Sequence, residues 1–143
     1  MDKEKALSGV RLFSALDPRH VRSLAALCTE KHFEPGEKLM RQGENGVGLF
    51  ILLSGKVAVT RRDDNGKITL SIHIGSGEIL GEMAVIDGAP RSADVVAEES
   101  TSCLILTAWE FNAFLKTNPK VAVDILPVVV KRYREAIAAL VQK

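Results

Sequence analysis

Two periods of hydrophobic and polar residues alternate along the chain. Between residues 17 and 28, apolar side chains recur every three or four positions at Val21, Leu24, Leu27 and Cys28. That spacing predicts an amphipathic helix. Asp17 and Pro18 supply its start: an acceptor for the free first-turn amides, then a residue with no amide to satisfy. Pro35 and Gly36 in FEPGE break the pattern. From there to about residue 106 the period is two. GLFILLSG (48–55) reads as a short buried strand closed by Ser54-Gly55, and CLIL (103–106) as another. In KVAVTRRDDNGKITLSIHI, Val57 and Val59 alternate with Ala58 and Thr60. Ile68, Leu70, Ile72 and Ile74 then share one face, opposite Thr69, Ser71 and His73. Asn65-Gly66 between the two runs predicts a tight hairpin, since both residues tolerate positive φ. Short strands separated by Gly-rich turns predict a barrel or sandwich.

Helical spacing returns after residue 106. Thr107 and Glu110 fit a capping box, and Asn118-Pro119 starts a second helix in the same way. Within it, Val123, Leu126, Val130, Tyr133, Ile137 and Leu140 alternate by three and four, the spacing of a coiled-coil seam. The seam packs either on the chain's own barrel or on a second copy. Pro127 lacks an amide and crowds the preceding turn, so a kink is expected there. The expected organisation is one mainly-β domain over residues 1–143, with N-terminal helices, a barrel over about 33–106 and C-terminal helices over about 108–142.

Composition removes several function classes. Lys and Arg total 19 against 18 Asp and Glu, so no global field draws in nucleic acid or an anionic membrane. No apolar run approaches the roughly 20 residues that cross a bilayer. MDKEKALSGVR lacks the apolar core and cleavage site of a signal peptide. Cys28 and Cys103 form no CxxC, are too few for a disulfide framework, and cannot hold an iron–sulfur cluster. His20, His32 and His73 are dispersed with no HxH, against a cupin-type metal enzyme. Cys28 and His32 share helical spacing, read as packing. A soluble cytoplasmic protein, neither enzyme nor metal-dependent, is expected.

The chemistry concentrates in GEMAVIDGAPRSA (81–93). Gly81 permits a tight turn, and Glu82 to Val85 fit one helical turn whose free amides favour an anion. Gly88, Ala89 and Pro90 return the chain so that Arg91 faces those amides, and its planar fork suits two phosphate oxygens. An ionised Glu82 accepts only, which suits a hydroxyl pair such as a ribose edge. Small residues at 84, 89 and 93 leave room for a ligand. A sugar phosphate satisfies all of these; the alternative is an ion pair between Glu82 and Arg91 across the loop.

GEILGEMAVIDGAPRSADVVA closely resembles the phosphate-binding cassette of the cyclic nucleotide-binding domain family, of the cAMP-receptor-protein and protein kinase A regulatory-subunit type. FEPGEKLMRQGENG and FILLSGKVAV resemble that family's first strands and glycines. NPKVAVDILPVVVKRYREA resembles the helix after the barrel in cAMP-receptor regulators, so the likeness covers roughly residues 12–142. It implies a β-roll or jelly-roll barrel. Arg91 would bind the exocyclic oxygens of a cyclic phosphate and Glu82 the ribose 2′-hydroxyl. Gly81 and the amides around Met83 and Ala84 would complete the phosphate cradle. Ser92 would lie near both phosphate and base, and Val59 and Ile74 would form the apolar wall beside the base. Two departures bear on base preference: Leu80 stands where an aromatic is often found, and Ala136 where some relatives place Thr.

The implied function is a sensor that takes a cyclic nucleotide, cAMP in preference to cGMP, and repositions its C-terminal helix, with no other cofactor. No membrane partner is expected, and no DNA binding by this chain alone. KRYR (131–134) reads as a solvated helix face rather than a DNA contact. On this pattern the C-terminal helix either forms a homodimer or packs on the chain's own barrel. The alternatives are the sensor fragment of a Crp/Fnr-type regulator without its helix-turn-helix, and a degenerate module that binds no nucleotide.

Overall fold

The first helix does not run on to Pro35. In the computed structural model, which describes residues 2–141, helix α2 spans Pro18–Leu27 with extended backbone already at Cys28. Strand β1 occupies Thr29–Phe33. Cys28 and His32 therefore share no helical turn, and the barrel begins at Thr29, not at about residue 33. The sequence pattern hides β1 for a physical reason: only Phe33 of its five residues is buried, so it carries no apolar alternation. The start of α2 is as expected, with the Asp17 carboxylate accepting from the Arg19 amide at 2.9 Å. A further helix, α1 (Lys3–Ser8), precedes a 3₁₀ turn at Arg11–Phe13.

The remaining strands are β2 (Lys38–Met40), β3 (Gly48–Ser54), β4 (Lys56–Arg62), β5 (Ile68–Gly75), β6 (Ile79–Leu80), β7 (Asp94–Ala97) and β8 (Thr101–Thr107). They form two antiparallel four-stranded sheets, ordered β1-β8-β3-β6 and β2-β7-β4-β5. Helix α3 (Glu82–Asp87) interrupts the strands between β6 and β7. Helices α4 (Ala108–Thr117) and α5 (Pro119–Val141) follow β8. This is the mainly-β roll with flanking helices that the sequence implied.

Strand alternation sorts the core into two bodies. Phe50 and Leu52 of β3 point between the sheets with Phe33, Val57, Val95 and Cys103. Leu49 and Ile51 point the other way, with Leu104 and Leu106, into a layer closed by Leu7, Phe13, Leu24 and Phe111 of the helical segments. At about 25 cal/mol per Å², each fully buried side chain of this size stabilises the fold by about 1.5–3 kcal/mol. The first sheet is therefore a shared wall, fixed from both sides.

The β4–β5 hairpin closes differently from a two-residue turn. Only Gly66 takes positive φ, at 80°. The Asp63 carboxylate accepts from the amides of Asn65 and Lys67, both at 2.9 Å, and shapes a five-residue connection between Arg62 and Ile68. Beyond the barrel the inward face of β5 runs out of cover: Ile74 packs on the barrel core, whereas Ile68, Leu70 and Ile72 are exposed.

At the C-terminal end the Glu110 amide donates to Thr107 Oγ1 at 3.1 Å, and the Thr107 hydroxyl itself donates to the Glu110 carboxylate at 3.0 Å. The Asn118 side chain caps backward, donating to the Phe114 carbonyl at 3.1 Å, rather than forward onto α5. Helix α5 continues through Pro127, whose ring sits on the exposed side, where the lost ladder bond opens to water. Only Val121 and Ile125 of α5 are buried. The seam does not pack on the barrel: exposure is 43% at Ile137 and rises to 68% at Leu140.

Candidate functional site

Helix α3 exists because two glycines bracket it. Gly81, at φ 79°, is its N-cap, and Gly88, at φ 72°, its C-cap. Gly81 has no alternative: a Cβ there would collide with Arg91 Nη1 and with the Met40 methyl. The helix runs to Asp87, past the single turn ending at Val85 that the sequence suggested, and no side chain caps its first amides. Asp87 then accepts from the Ala89 amide at 2.8 Å, turning the chain back toward β7.

This return seats Arg91 with 6% exposure. Its Nη1 donates to the Gly81 carbonyl at 2.9 Å and its Nη2 to the Gly48 carbonyl at 2.5 Å. Its own backbone is clamped by the loop before β3, the amide donating to the Glu44 carbonyl at 2.8 Å and the carbonyl accepting from the Gly43 amide at 2.9 Å. Gly46 completes the seat, since a Cβ there would press on the guanidinium carbon at 3.2 Å and on the Ala84 methyl at 2.9 Å. Burial lowers the guanidinium below its ordinary pKa, and the charge of Glu82 partly offsets that shift. An arginine nevertheless stays protonated in proteins.

Glu82 and Arg91 form no ion pair. Glu82, 7% exposed, instead accepts from Arg132 Nη1 of α5, at 3.1 Å on Oε1. Both carry buried charge, but the sequence's alternative of a plain cross-loop bridge is not what the chain builds. A pocket of about 180 Å³ opens between them. Gly81, Glu82, Met83, Ala84, Arg91, Ser92 and Val59 all line it; Ile74 does not, being packed against the barrel core. Met40, Leu80 and Val95 add an apolar floor that sequence reasoning did not assign. Nor did it assign Gly48 or Arg132, which act through a backbone carbonyl and a contact 50 residues away in sequence. Neither a residue type nor a spacing marks either of them.

Chemically the pocket offers a buried cation without a carboxylate partner, uncapped helix amides, one acceptor carboxylate and an apolar floor. Among the described residues no group of three His, Cys, Asp or Glu side chains could hold a metal ion. No described helix is long and apolar enough to cross a membrane. A β-roll carrying such a cassette defines a class of regulatory ligand-binding domains. Residues 30–118 match the family model of the cyclic nucleotide-binding domain, and the chain belongs to that family. It is 32% identical to the cyclic AMP receptor protein of Thermus thermophilus, over 91% of this chain and 60% of that protein. Among solved structures, it is similar to the N-terminal domain of a transcriptional regulator from Streptomyces coelicolor A3(2), at 29% identity and TM-score 0.81, covering 97% and 95% of the two chains. It is also similar to the regulatory domain of Toxoplasma gondii PKA in co-crystals with cAMP, at 30% identity and TM-score 0.72, over 78% and 42%. The chain spans about three fifths of the first curated relatives it matches.

Proposed function

We propose that the chain is a single, non-enzymatic cyclic-nucleotide sensor unit that prefers cAMP and reports occupancy through α5. The observation that carries the reading is Arg91. A guanidinium this buried normally sits against a carboxylate, because an unpaired buried charge is costly; here it bonds only carbonyls and lines the same pocket as the uncapped first turn of α3. A bound phosphate supplies the missing anion, and Glu82 Oε2 takes a ribose hydroxyl. The pocket's volume of about 180 Å³ falls short of the roughly 300–1,000 Å³ typical of ligand sites. The cyclic phosphate and ribose fill it, and the base lies toward Val59 and the open side. The relatives named for cAMP support this choice of ligand.

Calorimetric titration with cAMP and cGMP tests the reading, and Ser92 refines it. Ser92 is exposed at the pocket rim. Its hydroxyl can accept from the exocyclic amine of guanine when the base folds over the sugar, but it reaches less far than Thr. We expect cGMP to bind more weakly than cAMP by no more than about 100-fold, the scale of one or two neutral hydrogen bonds. Ser92→Ala should weaken cGMP more than cAMP, and Ser92→Thr should narrow the gap. Equal losses in Ser92→Ala would assign the hydroxyl to the phosphate.

The exposed seam of α5 supports pairing with a second copy, since apolar residues at coiled-coil spacing from Val123 to Leu140 are left 43–68% exposed by the described residues. Ile137→Glu should then yield a monomer by sedimentation, because pairing would bury an uncompensated charge. A wild type that is monomeric at high concentration, with and without cAMP, would refute the pairing.

A further inference from the structure

The second sheet has a gap beside the pocket, and a side chain fills it. Strand β7 pairs with β4 from Val57 with Ala97 to Thr60 with Asp94, and there the pairing stops. Backbone groups alternate in direction along a strand, so Thr60 and Arg62 face the same side as Lys56. The Lys56 carbonyl accepts from the Glu98 amide, just past β7, at 2.9 Å. Continued in this register, the next pair to exchange hydrogen bonds would be Arg62 with Ser92. That pair does not form. The Gln42 carboxamide stands where Ser92 would: its Nε2 donates to the Arg62 carbonyl and its Oε1 accepts from the Arg62 amide, both at 2.8 Å. The backbone amide of Gln42 donates in turn to Asp94 Oδ1 at 2.7 Å, just past Met40 with Val95, the last pair of β2 with β7. Ser92 lines the pocket instead, and its amide and carbonyl make no hydrogen bond among the described residues.

We infer that Gln42 is a positioning residue for the ligand site: it completes β4 in place of Ser92, so that Ser92 can leave the ladder and keep its backbone for the ligand. This rests on the nucleotide reading above. Only Asn and Gln side chains carry the donor and acceptor of a peptide amide side by side, so few residues can replace a strand in this way. Without the carboxamide, the Arg62 amide and carbonyl are left without a protein partner, and Ser92 is the nearest backbone in register to meet them. Strand β7 then extends by one exchange pair. The Ser92 amide is committed to β4 rather than to the phosphate, and a ligand must break that pair before it binds. Extension and binding exclude each other, so the apparent affinity falls by the fraction of molecules in the extended state. The phosphate is common to both nucleotides, so both lose affinity alike.

The test measures cAMP and cGMP binding by calorimetry, and amide exchange of the ligand-free proteins by NMR, on wild type, Gln42→Met and Gln42→Ala. Methionine keeps the length of the side chain and loses both hydrogen bonds. Gln42→Met should weaken the two nucleotides by the same factor, about 5- to 20-fold, within the span of two neutral hydrogen bonds. Gln42→Ala should match it, since the effect follows the amide and not the bulk. In both variants the Ser92 amide, which exchanges freely in wild type, should become protected. Unchanged affinity in both variants overturns the inference. So does a loss confined to one nucleotide, which would place the effect of Gln42 at the base. An equal loss with the Ser92 amide still exchanging as in wild type overturns it too, and leaves Gln42 a support of the β4–β5 hairpin alone. A wild type that binds neither nucleotide removes the underlying reading, and the inference with it.

Discussion

Arg91→Ala should weaken cAMP binding by about 2–5 kcal/mol, because it strips a charge-assisted fork from a phosphate in a desolvated seat. The same change should also lower thermal stability. The guanidinium is the hydrogen-bond partner of the Gly81 and Gly48 carbonyls, and each acceptor left buried and unmet costs about 1–3 kcal/mol. The two effects separate in Arg91→Lys, which keeps the charge but cannot span both carbonyls as a planar fork does. We expect it to retain part of the binding and part of the stability. Calorimetry on folded protein, paired with thermal melts of the same variants, measures both. If folded Arg91→Ala bound cAMP like wild type and lost only melting temperature, Arg91 would be a structural clamp and no more.

Ligand should raise stability by a comparable amount. cAMP at about 100 times its dissociation constant stabilises a binding-competent fold by roughly 2.7 kcal/mol, a shift on the order of 8–12 °C for a chain of this size. A melting curve unchanged across millimolar cAMP and cGMP would remove the sensor reading. Most of the phosphate cradle sits on α3 and the loop before β3, which lie outside the ladders of the two sheets. Hydrogen exchange should therefore report the gain there before it reports it in β3 or β8, whose amides are already ladder-bonded on both sides.

What could be read in advance follows physical lines. Strands β3, β4, β5 and β8 show in the sequence because each presents at least one apolar face; β1 stays hidden because it buries one residue in five. Glu82, Arg91 and the bracketing glycines were legible because residue type limits what they can do: left-handed backbone at Gly81, a forked cation at 91. The partners of those residues were not legible. Arg91 is seated by backbone carbonyls, and every residue has one, so no residue type announces Gly48 as a partner. Arg132 meets Glu82 through the docking angle of α5, a property of tertiary packing rather than of any local spacing. Helix α5 runs on through Pro127 because that face looks onto water, where the lost ladder bond can be met. The hairpin at Asn65-Gly66 went differently because the Asp63 side chain competes for the turn's amides.

The two-sided wall has a consequence for how such a chain can diversify. Leu49 and Ile51 answer to the helices, whereas Phe50 and Leu52 answer to the barrel interior on which the pocket is built. One strand thus spells two messages on alternate letters. A lineage can rewrite the odd-numbered letters of β3 along with α1, α2 and α4, and so exchange the helical layer, while the even-numbered letters keep the ligand seat unaltered. Grafting a foreign helical layer onto this barrel should need matched changes at Leu49, Ile51, Leu104 and Leu106, and none at Phe50 or Leu52.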